Sequence, residues 1–192
     1  MKKLVLVTLF LFSLPYFAYC QYFELTPSGM KSLIEPEGAD YLVLNFPDKS
    51  QSELFDAAHD YVASSFNSAK DVMSESEPNV LSLKAAMPFK LSNGFVKYDA
   101  ILNYKYNILF KEGRVRVEFH LLDFIVLPTN GNVPKFSFGL VRQNISMQGV
   151  FTKQGKIIKV GGEDTKRTIE DYANRLTQGL AEAITGVANN DW

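Results

Sequence analysis

Two long alternating segments meet at a tight turn, and they limit what this chain can fold into more than any other feature. Tyr98 to Phe110 and Arg114 to Val126 flank Lys111-Glu112-Gly113-Arg114. With Glu112-Gly113 as a two-residue turn, Phe110 faces Val115, Ile108 faces Val117, Tyr106 faces Phe119 and Tyr104 faces Leu121. On the other side Asn107 meets Glu118 and Lys105 meets His120. Apolar meets apolar and polar meets polar, and a one-residue slip would destroy every match. The chain therefore holds an antiparallel hairpin with one apolar face that needs a cover. Further on the match fails, because Leu102 would face Asp123. One extra residue near Leu121-Leu122 restores it by pairing Leu102 with Leu122 and Ala100 with Phe124, so a β-bulge is expected there.

Two helical stripes supply the cover. Ser50-Gln51-Ser52-Glu53 is a capping box, and Leu54, Phe55, Ala58, Tyr61, Val62, Ser65 and Phe66 trace one face of the helix that follows. Burying its large members is worth roughly 1.5–3 kcal/mol each. That holds the helix on a sheet but not alone, and Phe55→Ala is expected to be among the costliest changes. The second stripe follows a turn at Gly161-Gly162 and runs Ile169, Tyr172, Ala173, Leu176, Leu180, Ala183, Ile184, Val187. Gly179 weakens this helix by about 1 kcal/mol against alanine. Its place near the stripe points to close approach to the sheet. Glu163-Asp164 and Glu170-Asp171 read as favourable charges at a helix start.

The remaining elements are weaker. Tyr41 to Phe46 is a short strand closed by Pro47, with Leu42, Leu44 and Phe46 on one face. Lys70 to Glu75 and Val80 to Met87 read as strands, with a loop around Ser92-Asn93-Gly94. Thr129 to Phe138 is loop-like, Ile145 to Phe151 and Ile157 to Val160 suggest a small hairpin, and the tail from Asn189 to Trp192 reads as frayed. The order strand, helix, four strands, helix predicts an α+β fold: an antiparallel sheet of about five strands with two helices packed on one face. The expected division is a signal peptide over 1–20, an irregular lead-in over 21–39 punctuated by Pro27, Gly29, Pro36 and Gly38, and one domain over 40–190. Within that domain 129–160 is an insertion.

The first twenty residues are a different kind of text. Lys2 and Lys3 precede an apolar run from Leu4 to Leu14, then Pro15 and Ala18-Tyr19-Cys20. This is the pattern of a secretory signal. Leu4 to Tyr19 falls short of the roughly 20 residues a membrane-spanning helix needs. Small residues at Ala18 and Cys20 favour cleavage before Gln21, leaving no transmembrane segment in the mature chain. The competing reading, a lipid anchor on Cys20, is disfavoured by the bulky Tyr19 just before it. The expected location is therefore the periplasm or the exterior.

Composition excludes several functions. One cysteine in 192 residues leaves no disulfide framework and no thiolate cluster. A net charge of −1 and a pI near 6.1 give no electrostatic case for nucleic acid. Nothing implies a cofactor or a metal: neither His59 nor His120 has a partner at ligand spacing, and there is no EF-hand loop and no G-x-S-x-G elbow. Gly149 to Gly155-Lys156 is one residue too long for a phosphate loop and has Ile157 where Ser or Thr should stand. Asn144-Ile145-Ser146 is a glycosylation pattern of a kind frequent by chance.

One feature invites a contact. A sheet covered on one side leaves its other face open, and that face would carry Asn103, Lys105, Asn107, Arg114, Arg116, Glu118 and His120, with Tyr41 and Val43 beside them. Its mixed charge suits an envelope protein or a glycan, although a plainly solvated face has the same composition. The expectation is a non-enzymatic binding module. The alternative is a carrier that holds a lipid or other apolar molecule between sheet and helices, behind the Tyr104-Tyr106-Phe119 wall.

Phe23-Glu24-Leu25-Thr26-Pro27-Ser28-Gly29, Phe46-Pro47-Asp48-Lys49-Ser50-Gln51-Ser52-Glu53-Leu54-Phe55 and Phe110-Lys111-Glu112-Gly113-Arg114 resemble segments of exported Bacteroidota proteins. These carry a domain of unknown function with a TATA-binding-protein-like fold. The family often has tyrosine where Phe55 stands and aspartate where Glu112 stands. The likeness covers about 23 to 127, and the last helix fits by order alone. It implies a fold and an envelope setting. It brings no activity, and the fold name does not import DNA binding.

Overall fold

The computed structural model describes residues 21–66, 73–77, 79–93, 96–127, 139–141 and 149–186. The signal region 1–20, the start of the strand expected over 70–75, Gly94, the loop-like segment 129–138, the glycosylation pattern at 144–146, the first part of the hairpin expected over 145–160, Val187 and the tail 189–192 lie outside them. In chain order the elements are β1 (Phe23–Thr26), β2 (Gly29–Ser32), β3 (Tyr41–Asn45), α1 (Gln51–Ser65), β4 (Met73–Glu77) and β5 (Val80–Asn93). They continue with β6 (Val96–Lys111), β7 (Arg114–Val126), β8 (Gly139–Val141), β9 (Gly149–Phe151) and α2 (Gly162–Thr185). Strands β3-β7-β6-β5-β4 form one antiparallel sheet, and both helices pack on the same face of it. This is the expected α+β architecture.

The β6–β7 hairpin has the register that its side chains dictate, from Lys111↔Arg114 through Tyr104↔Leu121. The bulge falls where expected, but the pairs beyond it differ from those anticipated. Leu102 pairs with Phe124 and Ala100 with Val126, so Leu122 is the surplus residue and is turned outward, 46% exposed. Phe124 then reaches the covered face and meets the ring of Phe89 at 5.8 Å. Strand β5 runs beyond the expected end at Met87, through Pro88 to Asn93. Proline is tolerated there because β4 pairs with β5 only as far as Leu83, leaving the rest of that strand unpaired on this side among the described residues.

Helix α1 starts at the expected capping box, with Ser50 and Glu53 bonded reciprocally. Leu54, Ala58 and Val62 are its buried residues. Phe55 is only half-buried, edge-on to Phe110 at 5.4 Å, so the deeply packed position expected for it belongs to Leu54. Under the helices, large aromatic side chains of the sheet pack into the core. Tyr104 stacks on Phe119 at 4.8 Å and its hydroxyl meets that of Tyr172 at 2.7 Å. Thr177 gives its proton to the Ala173 carbonyl, which leaves its oxygen to accept from Tyr106 at 3.2 Å. Burial pushes both Tyr104 and Tyr106 well above the usual phenol range, so they act as neutral hydrogen-bonding core residues.

Gly179 does mark a close approach, but to α1 rather than to the sheet. A Cβ there would lie 2.6 Å from the Tyr61 hydroxyl, which donates to the Leu176 carbonyl at 3.1 Å. Gly179→Ala should therefore lower the melting temperature by roughly 2–4 °C, because overpacking outweighs the gain of about 1 kcal/mol in helix propensity. In a Tyr61→Ala background the same change should raise it. A rise in the wild-type background would show that the Tyr61 ring moves aside freely.

The lead-in is not irregular. β1 and β2 form a hairpin across Pro27-Ser28, and Phe23, Leu25 and Met30 join the core. Its outer edge is bonded by side chains of α2. Asn174 accepts from the Tyr22 and Phe23 amides at 2.9 and 2.8 Å and donates to the Phe23 carbonyl at 3.2 Å. Glu170 accepts from the Leu25 amide at 2.8 Å and from Lys166 at 2.6 Å. Glu170 is thus a buried partner of β1, not a helix-start charge. The second expected hairpin is smaller than anticipated: β9 pairs in parallel with β8, and only the Phe151↔Ile157 bridge joins it to the segment after Gly155 among the described residues.

Candidate functional site: the open face of the sheet

Strand alternation puts every second residue of β3, β5, β6 and β7 on the face away from the helices. Reading across the register, one row is Lys111 and Arg114 with Asn45. The next is Val80, Leu109, Arg116 and Val43. The third is Ser82, Asn107, Glu118 and Tyr41, and the fourth is Lys84, Lys105 and His120. All seven residues expected on this face are there. Six share these rows; Asn103 lies past the bulge in the next row, bonded to Asp123.

The third row is a connected network. Ser82 donates to the Asn107 carbonyl oxygen at 2.8 Å, and the Asn107 amide donates to Glu118 at 3.2 Å. Glu118 also takes Arg116 at 2.7 Å and lies 3.2 Å from a ring nitrogen of His120. Burial alone would raise the Glu118 carboxyl, but hydrogen bonds from Asn107 and His120 and the charge of Arg116 hold it below the ordinary carboxylate value. It therefore stays ionised at neutral pH. The Arg116 guanidinium also sits 4.1 Å over the Tyr41 ring, so it is held from two sides.

Beside this network is a recess of about 480 Å³ that sequence reasoning missed. Its apolar lining comes from the second row, Val80, Leu109 and Val43, and Tyr41 bounds it. Lys111, Arg114 and Arg116 surround it. Neither Lys111 nor Arg114 has a side-chain partner among the described residues. Gln51, from the start of α1, and Asn79 bond to each other at its edge. The hairpin register already aligned Leu109 with Arg116, but Val80 enters only through the β5–β6 register.

Among the described residues, no group of three or more His, Cys, Asp or Glu side chains could hold a metal ion. No helix among them is long and apolar enough to cross a membrane. His59 stacks on Phe55 at 6.2 Å on the flank of α1, away from the open face.

A one-sided antiparallel sheet backed by two helices is the class this arrangement defines. Residues 41–124 match the family described as a domain of unknown function (DUF4468) with TBP-like fold. Two solved structures share the fold. A TBP-like protein from Parabacteroides distasonis is 16% identical with a TM-score of 0.52, covering 76% of this chain and 90% of that one. A DUF4468 family protein from Bacteroides ovatus is 14% identical with a TM-score of 0.50, covering 75% and 84%. No curated protein matches the chain.

Proposed function

We propose that this protein is a non-enzymatic interaction module of the bacterial envelope, exported by its N-terminal signal and binding an envelope protein or glycan through the open face of its sheet. The observation that carries the reading is the fixed geometry of that face. Arg116 is held between Tyr41 and Glu118, and Glu118 is held in turn by Asn107. Side chains ordered before contact lose less freedom on binding, which favours recognition over mere solvation. The Lys2-Lys3 charge and the apolar run after it support the envelope setting. The carrier reading draws no support from the interior, where Tyr104, Phe119 and Tyr172 already pack on one another.

The test is capture from a native envelope extract. Arg116→Glu should reduce the retained partner by at least about tenfold and leave the circular dichroism spectrum unchanged. Undiminished capture by the folded variant would remove the open face as the contact surface.

A further inference from the structure

The recess at one end of the open face has the chemistry of a ligand site. Its volume of about 480 Å³ lies within the roughly 300–1,000 Å³ common for small-molecule pockets. Val80 and Leu109 are neighbours in one row, and Val43 ends that row beyond Arg116, so the apolar lining is a short strip with one further valine past the arginine. The charges at its border are all positive. Arg116 is committed to Glu118 and Tyr41, while Lys111 and Arg114 in the adjoining row are unpaired among the described residues. Free cations beside an apolar strip match a molecule with an anionic head and an apolar body. A guanidinium fork pairs best with a planar, bidentate acceptor.

We infer that this recess binds a small amphipathic carboxylate, its apolar chain along Val80, Leu109 and Val43 and its carboxylate on Arg114 and Lys111. The inference rests on the proposed role of the open face and narrows one end of it to a ligand class. It places the ligand on the outside of the sheet, opposite the packed interior.

Octanoate, 1-octanol, octylammonium, acetate and inorganic phosphate separate the contributions. With the protein labelled at its valine and leucine methyls, octanoate should shift the signals of Val43, Val80 and Leu109 saturably. Octanol, octylammonium, acetate and phosphate should each bind at least about tenfold more weakly. Added salt should weaken octanoate, because the recess is open to solvent. The double change Lys111→Gln and Arg114→Gln should cost octanoate at least about tenfold and leave the core methyls unmoved. Equal binding of octanol would reduce the site to apolar contact, and equal binding of phosphate would reduce it to charge; either overturns the inference. So would shifts centred on Leu83 and Leu102, which lie on the covered face, or an undiminished affinity in the double variant. Partner capture is read separately. Retained capture that depends on Arg116, without octanoate binding, removes this inference and leaves the interaction face. Octanoate binding without such capture does the reverse.

Discussion

Replacing Asn174 by alanine should destabilise the protein by about 3 kcal/mol and loosen its N-terminal hairpin. The side chain is 1% exposed and satisfies two amides and one carbonyl of β1 and the residue before it. A buried backbone group left without a partner costs about 1–3 kcal/mol. Relaxation and entering water keep the total below the sum of three such losses. Urea unfolding gives the stability, and hydrogen exchange at Tyr22 and Phe23 shows where the loss falls. Asn174→Asp should also destabilise, because a carboxylate keeps both acceptor bonds but sets an oxygen against the Phe23 carbonyl and buries a charge. A cost under about 1 kcal/mol for alanine, with the Phe23 amide still protected, would show that the hairpin is held by its apolar side chains alone.

The second large effect separates two residues that look alike in the sequence. Phe119→Ala should cost about 3–5 kcal/mol, since its ring is buried, stacks on Tyr104 and meets Tyr106 edge-on at 6.0 Å. Leu122→Ala should change stability by no more than about 0.5 kcal/mol, because the bulge turns it outward. The pairing expected from the sequence puts Leu122 against Leu102 in the core and predicts about 2–5 kcal/mol for the same change. Denaturation midpoints of the two variants decide between the registers.

That contrast shows where the sequence was legible. The β6–β7 hairpin could be read because a two-residue turn fixes its register and each cross-strand pair tests it independently. The position of the bulge followed from the first failed pair. The pairs beyond it did not, because Leu121 and Leu122 are both apolar and either strand could absorb one residue. What decides is Asp123, which pairs with Asn103 and bonds to it with the surplus on β7, whereas the other register sets it against Ile101. The polar face was legible by alternation, down to Tyr41 and Val43 at its border. The recess was not, because it also draws on Val80, Gln51 and Asn79, from two further parts of the chain. The N-terminal hairpin escaped notice for a related reason. Proline and glycine spacing reads as a break, and the partners that make it a strand are polar residues of a helix near the other end.

Those partners have a consequence for how the molecule comes into being. Phe23 and Asn174 are 151 positions apart, so the first strand is synthesised long before the side chain that completes it exists. A ribosome adding about 5–20 residues per second leaves this strand waiting for roughly 8–30 seconds. Until α2 arrives, the nascent chain has an unfinished edge at its leading end. Any factor that recognises extended, incompletely bonded segments can tell it from the finished protein, and the last helix, by closing over β1, ends that distinction.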